Sequence, residues 1–550
     1  MKSYPIIILI AIASLSNSIA QTFTVDGITY NVLSVVPPYT VEVASIFPSY
    51  YSGDIVIPEQ VAYQTKDYSV ILINASAFQG STELTSIEIP NTVSFIEDWT
   101  FHDCSGLQSV SIPASVTRIG MGAFQSCVSL KGIFVDPGNP NYATVDSVLY
   151  NNDTTILLTC PPSKAAIEIP GSVKTIDALA FHNCSKLSAV DLPNSVTYIG
   201  AMAFFQCTGL TSVTIPNSVT SIRSGAFENC SKLTSVILPN AIDTIDFSTF
   251  KGCSSLAAVE IPASVTRILN MAFEGCSSLT SFTIPNTVTL IEKWVFQDCT
   301  GLESVEIHSS VTSIGYMAFE GCTSLQSIEI PNSVTSIDHG AFGNCTSLDS
   351  VTIPNTITSI SSSLFNGCTG LTNVEIPSSV EIIGWDAFSG CTALQTVVIP
   401  GSVTTISGMA FYNCTGLTSI TCQAVTPPRL VHDDVFDNVP RSIPLYVPSE
   451  NIDDYQAAKV WQEFMIMTDI SSIIFNELSV YPNPVSNNLT IEGVRAGTLI
   501  SVYNINGKRV RSLIAKSKSE QLDFSDLPSG VYMVNVSFNG ESKNYKLVRQ

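Results

Sequence analysis

The chain has 550 residues, only 13% of them charged, and a formal net charge of −22. Few charges among abundant Ser, Thr, Ile, Val and Asn suit strands and turns better than long charged helices, and so acidic a chain repels phosphate backbones, which argues against nucleic acid as a partner. The acidity is unevenly placed: from residue 471 onward nine Lys and Arg stand against six acids, so all of the net negative charge lies before that point.

Residues 1–20 begin Met1-Lys2, run through an apolar stretch over 6–13 and end Ser18-Ile19-Ala20 before Gln21. Small residues three and one before a cut, after a short apolar core, predict a secretory signal peptide. A membrane anchor needs about 20 unbroken apolar residues, and this run is shorter and interrupted by Ser and Asn. Any hold on a membrane surface would then be a tether and not a span. Residues 21–66 lie before the regular pattern and are expected to cap its N-terminal end.

Eleven cysteines, from Cys184 to Cys414, succeed one another at intervals of 23 residues, and Cys104 and Cys127 share the spacing, with Ser81 one period earlier. Phe stands three residues before each of these positions and Leu three after, as in Phe227, Cys230, Leu233, in fourteen copies. A fixed period of this size predicts a repeat solenoid. After nearly every Leu comes a Val or Ile, an outward residue and another apolar residue, usually with Pro next, as in Leu210, Val213, Ile215, Pro216. The alternation reads as a short strand of a parallel β-sheet with one face buried. A second apolar pair, such as Val219 and Ile222, predicts a second short strand, and the Ala226-Phe227 segment a compact helical turn. One coil cannot bury its own apolar stripe, but stacked coils align equivalent residues into ladders.

The cysteines are expected to be free, buried thiols. Cys packs as a small hydrophobe, stacked parallel side chains are poorly placed for a disulfide, and without a Cys-x-x-Cys pair or His at ligand spacing there is no metal site. Cys160 and Cys422 fall outside the frame and have no assignment.

The period breaks within 131–168, which carry eleven extra residues. Strand-like runs over 145–150 and 155–159 around Asn151-Asn152-Asp153 read as a hairpin bulging from one coil. The regular solenoid therefore spans 67–435, and 436–470, with Trp461 and Phe464, close the other end. Residues 471–550 change style. Tyr481-Pro482-Asn483-Pro484, Leu489-Thr490-Ile491, Val502-Tyr503, Gly530-Val531-Tyr532 and Lys546-Leu547-Val548 read as strands split by turns, a small all-β sandwich.

Leu325-Gln326-Ser327-Ile328-Glu329-Ile330-Pro331-Asn332-Ser333-Val334, running on to Ala341-Phe342 and Cys345, resembles the BspA-like leucine-rich repeats. That resemblance implies 23-residue leucine-rich-type coils and a surface protein of adhesin character, with host matrix protein or a neighbouring cell as partner. The last 80 residues, through the Tyr481, Pro482, Asn483, Pro484 opening and Gly530, Val531, Tyr532, are similar to the C-terminal sorting domain of the type IX secretion system. This implies export to the outer surface of a Gram-negative bacterium and attachment there by a tether. The ending Arg549-Gln550 departs slightly from the family's further lysines.

Two tracks are candidate binding surfaces. On the first strand the outward residue is Glu88, Asp191, Glu260, Glu306, Glu329 or Glu375, interrupted mainly by Thr. Such a stripe either keeps the face solvated or docks a basic protein patch. Before the Phe, a variable track holds Trp99, Phe247, Trp294, Tyr316, His339 and Trp385, which either pack on adjacent turns or offer rings to a sugar or protein. Five His occur, none in a His-Glu-x-x-His arrangement, and neither a Gly-x-Ser-x-Gly elbow nor a phosphate loop is present. No enzyme activity and no cofactor are expected, and the function predicted is binding of an extracellular protein or glycan, with a self-associating coat or glycan capture as alternatives.

Overall fold

The computed structural model describes residues 21–46, 50–468, 478–494, 497–505, 507–538 and 541–550; the expected signal peptide over 1–20 lies outside them. The described residues form two compact units, one taking those up to Thr356 with Ser361–Gly370, the other Ile357–Ile360 and those from Leu371 on.

In the first unit the repeat folds as a β-solenoid. Taking the coil of Phe319 as the pattern, Leu325 is fully buried, and Ser327–Glu329 form a strand in which only Ile328 points inward. Val334 N–H closes a turn onto Pro331 O at 3.0 Å, where the proline needs no N–H of its own. Ser336–Ile337 form the second strand. Strands of neighbouring coils pair in parallel and in register, Ser327–Glu329 with Ser350–Thr352 and Ser313–Ile314 with Ser336–Ile337, in a series of short ladders. Equivalent side chains therefore recur at about 4.8 Å.

A helical turn is not what forms on the third side. The residues two before and two after the Phe, here Met317 and Gly321, have φ of 51° and 72°, which breaks any helical run. The backbone there instead turns its N–H groups onto the next coil: Met317 N to His339 O (3.0 Å), Phe319 N to Ala341 O (2.9 Å) and Gly321 N to Gly343 O (2.9 Å). A left-handed L-residue costs roughly 1–2 kcal/mol, so the position after the Phe favours Gly, or Asn as at Asn229 and Asn344. The interlocking bonds offset the rest.

Inside, the repeated phenyl rings stack, with Phe181 on Phe204 at 4.7 Å and Phe296 on Phe319 at 5.3 Å between centroids. Each is fully buried, a contribution of about 2–3 kcal/mol per ring from burial alone. The cysteines are free and buried, as the spacing predicts. In most coils the Sγ–H points at the carbonyl of the Phe one coil earlier, as Cys230 does to Phe204 O at 3.1 Å, whereas Cys184 points at Cys160 O at 3.6 Å.

Before the first regular coil, Thr22–Val25, Ile28–Ser34 and Thr40–Val43 form an antiparallel meander, and Lys66–Ile73 joins it in parallel and leads into the second-strand stack. The insertion differs from the expected single hairpin. Asp146 and Ser147, with φ of 49° and 62°, make a two-residue turn that splits the run over 145–150. The result is a three-strand meander of Tyr142–Val145, Val148–Asn151 and Ile156–Thr159, whose last strand rejoins the second-strand stack through Thr175–Ile176.

In the second unit Phe388, Phe411 and Phe436 stack on one another at 5.3 and 5.4 Å, and Trp461 lies edge-on to Phe436 at 5.3 Å. The indole N–H of Trp461 bonds Pro428 O at 3.1 Å. Cys422 takes the second apolar strand position, beside Ile399, with its Sγ 3.2 Å from the Tyr455 hydroxyl. The C-terminal residues form two antiparallel sheets, Ser479–Tyr481, Asn488–Glu492 and Ser519–Asp523 in one, and Arg509–Ile514, Leu499–Asn504, Gly530–Phe538 and Glu541–Arg549 in the other. They enclose a core of their own around Leu489, Val502, Phe524 and Val534.

Candidate binding surfaces

The first-strand face of the first unit carries the acidic positions named from the sequence. Glu88, Asp191, Glu260, Glu306 and Glu329 are all exposed. None of them forms an ion pair among the described residues, whereas Glu97, Asp246 and Glu274 on the turn side meet Arg118, Arg223 and Lys251. Glu306 accepts a hydrogen bond from the Thr283 hydroxyl at 3.3 Å. At the N-terminal edge, the Thr85 and Ser86 hydroxyls bond Asp54 at 2.7 and 2.6 Å and hold its carboxyl below the usual range. Glu306 and Glu329 occupy the same position in successive coils with nothing cationic to separate them, an arrangement that costs rather than adds stability.

The pattern of carboxylates and threonines hides a second feature of this face. Val56, Phe134 and Ile237 occupy the same outward track and are 61%, 50% and 64% exposed. Ile237 pairs in register beside Thr214, which pairs beside Asp191. Exposed apolar residues set among charges are the composition of a binding face. The signal was present as branched or aromatic residues at an outward strand position. In the second unit Glu375 is exposed on the equivalent strand Asn373–Glu375, and Val398 beyond it is 44% exposed.

The aromatic track behaves differently. Trp99 is half-buried, 5.2 Å edge-on to His102, and its ring covers Gly122 of the next coil. Trp294 and Tyr316 are half-buried and meet edge-to-face at 5.5 Å. Phe247 is 47% exposed, and His339 is exposed. In the second unit Trp385 remains 40% exposed although it packs against His432 at 4.7 Å. Trp99, Trp294 and Trp385 pack on the following coil, and Phe247, His339 and part of Trp385 are open surface.

The two sorting-motif segments converge on the last strand. The Asn483 side chain donates to Lys546 O at 3.0 Å and accepts from Val548 N at 2.9 Å. Gly530, Val531 and Tyr532 pair with Arg549, Val548 and Leu547, and the Tyr532 hydroxyl bonds Pro528 O at 2.8 Å. Tyr481 stays 43% exposed at the end of the strand Ser479–Tyr481, with Pro482 and Pro484 either side of Asn483.

The model of the BspA type leucine-rich repeat region matches residues 64–160, 159–280, 269–391 and 359–450. The chain belongs to the BspA-type leucine-rich repeat family. Its residues 479–550 match the secretion system C-terminal sorting domain, so this BspA-type protein is a client of type IX secretion and is secreted or displayed at the cell surface. Among solved structures it is similar to a leucine-rich repeat protein from Bacteroides ovatus, at 26% identity over 81% of this chain and 99% of that one, with a TM-score of 0.50. A leucine-rich cell surface protein from Faecalibacterium prausnitzii is 28% identical over 74% of this chain and 96% of that one, with a TM-score of 0.41. No curated protein matches it.

Proposed function

We propose that this protein is an adhesin-like surface protein whose first-strand face binds extracellular macromolecules, with a host matrix protein or a neighbouring cell as the partner. The observation that carries the reading is the set of unpaired carboxylates, Glu260, Glu306, Glu329 and Glu375, on faces that also expose Ile237 and Val398. Salt-sensitive attraction to a basic partner comes from the first group and desolvated contact area from the second. The sorting domain supports display on the outer surface of a Gram-negative cell, held by a tether. Phe247 and Trp385, exposed on the other track, favour a second reading in which glycan rings stack there.

The test is adherence of cells that display the protein, against cells that lack it, to immobilised matrix proteins and glycans, together with sedimentation of the purified chain. An adhesin increases adherence and stays monomeric. Concentration-dependent oligomers without a foreign ligand would instead identify a self-associating coat.

A further inference from the structure

The first-strand side of the solenoid is interrupted in two places. From Ile87 to Ile420 the inward residue of the first strand is buried in every coil but two. The exceptions, Ile167 and Val259, are half-buried, and among the described residues theirs are the two coils in that span that form no first strand. Both place two alanines before the inward residue, as Ala165-Ala166-Ile167-Glu168-Ile169-Pro170 and Ala257-Ala258-Val259-Glu260-Ile261-Pro262. No other coil has alanine at both positions.

The chemistry of these positions accounts for the gaps. Alanine is a poor strand former. Elsewhere the first of the two positions is often Thr, whose hydroxyl ties it to the coil before, as Thr211 Oγ1 does to Ser188 O at 3.1 Å and Thr234 Oγ1 to Thr211 O at 3.0 Å. Ala257 has no such tie, and the backbone bonds on both sides of it are long: Ala257 N to Thr234 O and Thr280 N to Ala257 O are each 3.4 Å, against 2.9 Å from Thr234 N to Thr211 O. Among the described residues, the backbone N–H groups of Ala258, Val259 and Glu260 meet no protein acceptor, and neither do those of Ala166, Ile167 and Glu168. The alanines are exposed, so water can take these groups at little cost.

The other two sides of the same coils stay closed. After Ala257, Arg267–Ile268 pair with Thr244–Ile245, and the turn-side bonds Phe250 N to Ala272 O and Phe273 N to Val295 O are 2.9 and 3.0 Å. After Ala165, Thr175–Ile176 pair with both neighbours. On the turn side of that coil Cys160 N bonds Ala180 O at 2.7 Å, as a Phe N–H does in other coils, and Phe181 N bonds Ala203 O at 2.7 Å. Each coil is thus loose on one side and fastened on two, which is the construction of a hinge. Between the two gaps Ala189–Asp191, Ser212–Thr214 and Ser235–Ile237 form one three-stranded plate. We infer that the solenoid of the first unit is hinged at Ala165–Ile169 and at Ala257–Ile261, where the first-strand side opens and closes about the fastened second-strand and turn sides. The motion changes the curvature of the first-strand face and moves the plate from Asp191 to Ile237 as a block. It does not rest on that face binding a ligand.

The test is hydrogen exchange by mass spectrometry on the purified full chain, joined to spin-label distances. Segments 165–169 and 257–261 are expected to exchange about tenfold or more faster than 211–215 and 303–307, the change that one backbone hydrogen bond makes. Ala257→Thr with Ala258→Ser, the pair found at Thr280-Ser281, should slow 257–261 to the rate of the paired coils and leave 165–169 fast. Thr211→Ala with Ser212→Ala should make a new fast coil, and carries the test if the first variant does not fold. Labels on Ile237→Cys and Thr283→Cys bracket the Ala257 coil, and labels on Glu306→Cys and Thr352→Cys bracket a paired one, each pair about 10 Å apart. The first pair should show the wider spread of distances, narrowed by Ala257→Thr with Ala258→Ser. Equal exchange in all four segments, or equal spreads for the two label pairs, would overturn the inference.

Discussion

Trp385 and Gly408 occupy the same position in successive coils, and a Cβ on Gly408 would stand 2.3 Å from the Trp385 ring. The same pairing of a large residue with a glycine one coil later recurs at Trp99 and Gly122, and at Met317 and Gly340. Side chains on this track are therefore coupled along the solenoid. Gly408→Ala is expected to destabilise the protein by about 1–3 kcal/mol in urea denaturation, and Trp385→Ala to remove most of that cost in the double variant. Additive effects would contradict the coupling.

Burial pushes the thiols of Cys104, Cys368 and Cys414 up to about 12. A thiol whose proton is held more tightly in the folded chain contributes stability that is intact below its unfolded pKa of about 8.5 and is lost as pH rises through the folded value. The melting temperature is expected to be level to about pH 8 and to fall steadily towards pH 12, with the native thiols unreactive to an aromatic disulfide reagent at pH 8 and all fifteen reactive in guanidinium.

His182 shows the opposite sign. Burial pushes its imidazole down to about 4, with His102 adding to the effect. A group whose folded pKa is depressed favours the folded chain above its unfolded value, about 6.5, and that contribution is lost as pH falls towards 4. Asp177 nearby, raised by burial, works against this trend by holding its proton more readily when folded. The clean readout is the comparison with His182→Asn, which should lose less stability than the parent between pH 7 and pH 4. Parallel pH profiles would show that the imidazole does not titrate with folding.

Asn483 bridges the opening of the sorting domain to its last strand through Lys546 and Val548. Asn483→Ala removes two hydrogen bonds, expected to cost about 1–3 kcal/mol and to speed hydrogen exchange at the Val548 amide more than at amides of the solenoid.

The solenoid is legible in the sequence because each coil solves one packing problem in the same way. Phe227, Cys230, Leu233 and Val236 recur at fixed offsets, and only stacking buries them all. The third side reads as a helical turn because Ala226-Phe227 gives no local sign of left-handed residues on both sides. Gly225 and Asn229 are that sign, visible only when the coils are aligned. The meander reads as one hairpin because Asp146-Ser147 is a weaker turn signal than Asn-Gly. Cys160 has no place in the sequence pattern, since its spacing fits no cysteine slot; it lies in a phenylalanine slot, and only the fold reveals which ring is absent. The acidic strand positions can be read from period-two alternation, and so can the outward place of Ile237, which is easily passed over because an isoleucine in a strand ordinarily signals a core position.

The measurement that bears most directly on the central claim is binding of the purified chain to immobilised matrix proteins, comparing the parent with a variant carrying Glu260→Gln, Glu306→Gln, Glu329→Gln and Glu375→Gln. A strand-face adhesin predicts binding that weakens with added salt and falls about tenfold or more in the variant, a loss of roughly 1.4 kcal/mol or greater. Binding that is equal in the two proteins and indifferent to salt would contradict it.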